Sequence, residues 1–170
     1  MTGIHYRNAG IADAVLLADL FARSFCETFA HLYKPEDLAA FLDTVNEAGF
    51  AAELSDPSFD IRIAEADGAP AGFAKLGKPS LPVETPPATL ELWQIYVLSD
   101  WQGAGIGPAL FDWTSARARE RGARHLQLTV YVDNHRAKAF YERRGFLEVG
   151  RYDFMVGNHA DEDIIMRVAL

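Results

Sequence analysis

Where a strand-like segment gives way to a helical one, the chain carries Gln102-Gly103-Ala104-Gly105-Ile106-Gly107, a run with little side-chain bulk. Backbone amides in such a turn can point at an anion, and the start of the following helix adds about half a positive charge at the same place. Glycines also let a pyrophosphate come close to the main chain. Two familiar phosphate motifs do not fit. The third glycine of a dinucleotide fingerprint is replaced by Pro108, and no Gly-Lys-Ser or Gly-Lys-Thr follows. Metal and nucleophile chemistry find less support. His5, His31, His125, His135 and His159 show neither metal-ligand spacing nor a serine partner, so no metal site is expected. Cys26 is the only cysteine, which excludes an internal disulfide, and its neighbours Ser24, Phe25 and Phe29 suit a buried thiol.

These residues need a scaffold, and the periodicity of the chain describes one. Ile4–Arg7 reads as a first strand. Leu17, Leu20, Phe21, Ser24, Phe25 and Thr28 share one face of a helix over Ala12–Phe29. Pro35, Glu36 and Asp37 open a second helix whose inner face is Leu38, Phe41, Leu42 and Val45, continuing with a break at Gly49 toward Leu54. Ile61 and Ile63 start an antiparallel pair that turns at Asp67-Gly68 and returns over Ala71–Leu76. A proline-rich loop, Gly77–Pro87, leads to the strand Thr89–Val97. Gly105–Arg121 is helical, and Leu126, Leu128, Val130 and Val132 alternate with polar residues as a half-buried strand. Arg136–Arg144 forms a short helix closed by Gly145. Phe146–Val156 and Ile164–Leu170 complete the strands, joined by Gly157-Asn158-His159-Ala160-Asp161. The order β-α-α-β-β-β-α-β-α-β-β predicts an α/β (α+β) fold: a central mixed, mostly antiparallel sheet flanked by helices on both faces.

With 170 residues, of which 49% are apolar and 24% charged, the chain is expected to form one domain over 1–170. A net charge of −8 has the wrong sign for a nucleic-acid binder, and no run approaches a membrane span. A cytoplasmic protein without membrane or nucleic-acid partners is the expectation. The charge is uneven. Residues 1–100 hold 15 acidic against 6 basic side chains, whereas residues 101–151 hold 9 basic against 5 acidic. That contrast suits an anionic ligand at one end of a site and a cationic one at the other, although solvated helix faces give similar counts.

Ile95-Tyr96-Val97, then Gln102-x-x-Gly105-x-Gly107, then Asn134 with Ala137, Phe140-Tyr141 and Gly145-Phe146 together resemble the GCN5-related N-acetyltransferase (GNAT) family. The resemblance extends over the element order of nearly the whole chain and is densest in residues 89–150. Further details, among them Phe29 to Tyr33, Glu91 to Val97 and Asp163-Ile164-Ile165-Met166, are similar to the branch that includes bacterial spermidine/spermine-type acetyltransferases. The resemblance implies the single-domain GNAT fold and acetyl-CoA as co-substrate. It implies that backbone groups of Ile95, Tyr96 and Val97 face the pantetheine arm, that Gln102, Gly103, Ala104, Gly105, Ile106 and Gly107 hold the pyrophosphate, and that Asn134, Ala137 and Tyr141 sit near the thioester. Gln102 replaces the commoner arginine, and Pro108 removes one amide from the start of the helix.

In that setting an alkylammonium with a pKa of ~10.4 must lose a proton before it can attack. Glu91, or a water it holds, is the expected base. The parity of 91, 93, 95 and 97 puts it on the coenzyme-facing side of its strand unless a bulge intervenes. A rim carboxylate is the competing reading. Tyr141 is the expected acid for the departing thiolate, against the plainer role of an aromatic beneath its helix. Transfer is expected to be direct, without an acyl-enzyme on Cys26. Phe29, His31 and Tyr33 lie in the connection expected over the acceptor. The implied enzyme is an acetyl-CoA-dependent N-acetyltransferase acting on a primary amine, a polyamine or another small cationic amine first. A protein N-terminus, lysine or aminoglycoside is the alternative acceptor, and a non-catalytic CoA-binding regulator the alternative class. Members of the family often form homodimers, but no residue here marks an interface.

Overall fold

Alternation in the second half of the chain becomes β5, His125–Tyr131, which lies inside a seven-stranded sheet. The structure, a computed structural model, describes residues 3–170. The other strands are β1 (Ile4–Asn8), β2 (Asp60–Ala66), β3 (Ala69–Gly77), β4 (Thr89–Val97), β6 (Leu147–Val156) and β7 (His159–Ala169), arranged β1-β2-β3-β4-β5-β7-β6. All neighbours are antiparallel except β4 and β5. Helices α1 (Ala14–Phe29), α2 (Pro35–Thr44) and α3 (Glu47–Leu54) precede β2; α4 (Ile106–Glu120) joins β4 to β5, and α5 (His135–Glu142) joins β5 to β6.

Each sheet face carries its own core. On one, Leu110, Phe111 and Ala118 of α4 and Tyr141 of α5 pack on Leu92, Leu126, Leu128, Val130, Ile164 and Met166. On the other, Leu17, Leu20, Phe21 and Phe25 of α1 and Phe50 of α3 pack on Ile61, Ile63, Phe73 and Val156. Fully burying one such side chain stabilises the fold by about 1.5–3 kcal/mol. Among the described residues no helix is long and apolar enough to cross a membrane.

Local chemistry explains most boundaries. Asp67 and Gly68 adopt φ +51° and +80°, the left-handed pair that a tight β2–β3 hairpin requires. Gly145 ends the α5 region at φ +88°, as its position predicts. The break between the second and third helices lies at Asn46 rather than Gly49. The Asn46 side chain caps α3 by accepting from the Gly49 amide at 3.0 Å, so Gly49 is inside the helix.

A second difference has larger consequences. β7 begins at His159, not Ile164, and the link from β6 shrinks to Gly157-Asn158. Asp161 and Asp163 thereby become strand residues on one face of the sheet. The hairpin is tied down at its tip, where the Asn158 amide donates to Asp37 Oδ1 of α2 at 2.9 Å. Gly157 lies at φ +57°, and a Cβ there would stand 2.6 Å from Asp37 Cα. Gly157→Ala should therefore cost about 2–4 kcal/mol from strain and backbone displacement, measured as a lower urea midpoint with unchanged slope.

Candidate active site

β4 and β5 run side by side only over Thr89–Glu91 and His125–Gln127. Beyond Gln127, β5 continues with β7 alone, and the β4 edge from Leu92 to Val97 has no partner strand on that side. At this point β4 contains a bulge. Lys75 faces Gln94 and Leu76 faces Leu92, which leaves Trp93 as the extra residue. Its indole donates to the Lys78 carbonyl at 2.8 Å and stands edge-on to Phe59. A bulge increases local twist and bends its strand, so β4 turns away from β5 and the sheet forks.

The bulge also inverts the expected parity. Ile95 shares its face with Leu92, while Glu91 joins Gln94 and Tyr96 on the α1 side. Glu91 sits at the apex of the fork, opposite Gln127, and is buried. Four donors converge on its carboxylate: the Ser80 amide and hydroxyl at 2.8 Å, the Leu81 amide at 3.4 Å and Gln127 Nε2 at 3.1 Å. Gln127 Oε1 in turn accepts from Arg167. The proline-rich loop is thus pinned to the apex through Glu91.

At one end of the open edge lies the glycine-rich turn. Gly103 and Gly105 take φ +84° and +86°, and Gly105 is the residue before α4. The amides of Gly103, Gly105, Ile106 and Gly107 donate to no acceptor among the described residues. A Cβ built on Gly103, Gly105 or Gly107 would meet nothing within 4 Å. The cradle is open and lined with free donors at a helix start, which fits a pyrophosphate. Gln102 folds back to the Val97 carbonyl at 3.3 Å. Several of the basic residues counted nearby are engaged elsewhere. Arg117 and Arg121 pair with Asp60, Arg151 pairs with Glu148 and Glu162, and Arg144 lies over the Phe140 ring. The free donors of the cradle itself belong to the main chain.

On the other branch, Asn134 caps α5 by accepting from the Ala137 amide at 3.3 Å, so two residues expected near the thioester together set the start of the helix that carries Tyr141. Tyr141 is buried among Phe111, Phe140 and Phe146. Its hydroxyl has no hydrogen-bond partner among the described residues, and burial raises its pKa well above the usual phenol value. It therefore stays protonated at neutral pH.

A family model described as "Acetyltransferase (GNAT) family" matches residues 17–146. This chain belongs to the GNAT family. It is 30% identical over 172 residues to an uncharacterized N-acetyltransferase of Lactobacillus delbrueckii subsp. lactis, covering 100% of this chain and 99% of that protein. It is 33% identical over 157 residues to one from Mycobacterium bovis, covering 92% and 97%. The fold of the Thermoplasma acidophilum PaiA N-acetyltransferase, solved in complex with coenzyme A, superposes with a TM-score of 0.78 at 21% identity over 99% of both chains. The protein is accordingly an N-acetyltransferase with the GNAT fold, and the forked sheet is the feature to which its expected site residues gather.

Of the three GNAT acceptor residues anticipated from sequence, two meet the sheet. Phe29 stands edge-on to Tyr131, and Tyr33 stacks on Phe25 while its hydroxyl donates to Asp161. His31 is exposed and makes no such contact. Sequence reasoning passed over the residues beside them: Asp161, Asp163, Thr129, Tyr131, Tyr152 and His159. For His159, Asp161 and Asp163 the signal was the alternation of 159–169, hidden by reading 157–161 as a loop. The acidity of this wall comes from β7. Four of the fifteen carboxylates in the first hundred residues are paired with cations, Asp13 and Glu65 with Arg7, Asp60 with Arg117 and Arg121, and Glu53 with Lys75.

Asp163 is only 7% exposed. Burial first, and then the charge of Asp161, pushes its carboxyl up to about 7 against a partial opposing effect of the Thr129 hydroxyl. A carboxyl whose proton is held more tightly in the folded than in the unfolded chain stabilises the fold fully below its ordinary pKa of about 4. That contribution is lost as pH rises through about 7. Asp163→Asn should therefore melt at a higher temperature than the wild type at about pH 8, with the difference closing toward about pH 4 in a calorimetric series.

Proposed function

We propose that this protein transfers the acetyl group of acetyl-CoA directly to a primary amine, and that the acceptor is a small cation of the polyamine kind. One observation carries the reading: the open edge of β4 runs from a cradle of four free amides toward a buried tyrosine whose hydroxyl has no partner. The cradle suits the pyrophosphate of the donor, and the backbone at Ile95 and Val97, which faces no strand on that side and meets only the Gln102 side chain at the Val97 carbonyl, suits its amide-bearing arm. The wall on the α1 side offers aromatic rings and the buried carboxylates of Asp161 and Asp163, with no lysine or arginine paired to them among the described residues. Such a surface favours an ammonium over a neutral or anionic acceptor.

The chemistry follows from the positions. An amine attacking the thioester carbonyl gives a tetrahedral intermediate whose collapse expels a thiolate. Tyr141 supplies the proton for that sulfur. Burial that raises the phenol raises a departing thiolate as well, which makes the sulfur a stronger acceptor for that proton. Glu91 reaches the role of base only by releasing Ser80, Leu81 or Gln127, and its four donors support a positioning role at the apex of the fork.

Two substitutions test this. Tyr141→Phe should lower kcat by about 10²-fold or more while the Kd for acetyl-CoA, read by calorimetry, stays within about threefold. Equal turnover would remove the acid. Glu91→Gln should lower the melting temperature and leave the ascending limb of the pH–rate profile in place. A flattened limb would return the base to Glu91.

A further inference from the structure

The wall of the fork that faces α1 contains a buried carboxylate that neither the fold nor the acid step uses. Asp163 of β7 lies opposite Tyr131 of β5 and Tyr152 of β6. It acts electrostatically on Tyr33 from the α1–α2 connection, Tyr96 from β4, Tyr131 and Tyr152. Asp161, two residues earlier on the same face, is held by the Tyr33 hydroxyl and by His159 Nε2 at 3.1 Å. The Thr129 hydroxyl acts on both Asp163 and Tyr152, and Glu91 lies within electrostatic reach of Tyr152. No lysine or arginine among the described residues pairs with either aspartate.

This arrangement connects to the reacting centre. Tyr96 of β4 lies within electrostatic reach of both Asp163 and Tyr141, which sets the carboxyl and the phenol near the same stretch of the open β4 edge. A carboxylate taken out of water with no cationic partner is costly unless something else supplies the charge. The incoming substrate is such a partner.

We propose that Asp163 is the catalytic base of this acetyltransferase: it receives the acceptor's ammonium group, beside the counter-charge of Asp161, and takes its proton. The assignment rests on the acetyl-transfer reading above. An N–H bond of the ammonium breaks and its proton goes to the Asp163 carboxylate. The freed nitrogen lone pair forms the N–C bond to the thioester carbonyl carbon. On collapse the C–S bond breaks, sulfur leaves with the electron pair and takes the Tyr141 proton, and the second proton of the new amide nitrogen restores the phenol. Asp163 then releases its proton to water, which accounts for the one proton freed per turnover. A base is most effective when its pKa lies near the working pH, and burial together with Asp161 brings Asp163 to about 7.

The test uses the full-length protein with acetyl-CoA and a panel of 1,4-diaminobutane, spermidine, n-butylamine and glycinamide, following thiol release against pH. The expected wild-type kcat/KM has an ascending limb near neutrality. Asp163→Asn should abolish that limb and lower kcat by about 10²-fold with the KM for acetyl-CoA unchanged, and Asp163→Glu should restore part of the rate and a shifted limb. An Asp163→Asn enzyme that keeps the limb and a kcat within about threefold overturns the proposal. A second measurement on the wild type needs no variant: the ¹³C-carboxyl resonance of Asp163, assigned through its own side-chain correlations, titrated with and without 1,4-diaminobutane. A midpoint near neutrality that falls when the diamine is added supports the ammonium contact, because a neighbouring cation favours the ionised form. A midpoint that ignores the diamine overturns it. If no amine of the panel is acetylated, the acetyl-transfer reading fails by itself, and the titration still decides whether Asp163 meets an ammonium.

Discussion

The buried pair Glu91–Gln127 is the point from which the site opens. Here β4 and β5 make their last parallel contact, and the polar chain from Ser80 through Glu91 and Gln127 to Arg167 satisfies groups that would be costly to bury alone. Trp93 bulges from β4 directly afterwards, so the two strands diverge under fixed geometry rather than by fraying. One divergence yields both halves of the site. It leaves the β4 edge free toward the cradle at Gly103–Gly107, and it opens the α1-side wall that carries Asp161 and Asp163.

The two ends of the fork use different electrostatics. Oriented amides at a helix start attract an anion without any side-chain charge, which is why arginines counted near the loop can be committed to Asp60, Glu148 and Glu162. The opposite wall depends on side chains kept from water. Burial is the leading cause of the raised pKa of Tyr33, Tyr96, Tyr141, Tyr152 and Asp163. The same desolvation that keeps a phenol protonated keeps a carboxyl ready to hold a proton near neutrality. Burial thus acts in the same direction on the phenol of α5 and on the carboxyl of β7.

Much of this was legible before any coordinates. The glycine-rich run, the hairpin at Asp67-Gly68, the helix bearing Tyr141 and the alternation of β5 all follow from short-range preferences, and each stands where its residues indicate. Cys26 was legible only in part: it is a free thiol, but half-buried rather than buried. The face of Glu91 was misread because one extra residue, Trp93, changes the parity of a strand, and a bulge leaves no periodic signature in a run as apolar as Leu90–Val97. The start of β7 was misread because Gly157 to Asp161 looks like turn chemistry, and its pairing with β6 is visible only when the two strands are side by side.

Composition, turn residues and periodicity by themselves determined the GNAT-like order of elements, the anion-binding cradle and the helix that presents Tyr141, because each depends on neighbours a few positions away. Only the tertiary structure decided which carboxylates share the α1-side wall of the fork. Register between strands far apart in the chain, a single bulge, and the docking of the β6–β7 tip on Asp37 are settled by packing across the sheet. Those three contacts turn Glu91 into a clamp and bring Asp161 and Asp163 within reach of Tyr33 and Tyr96.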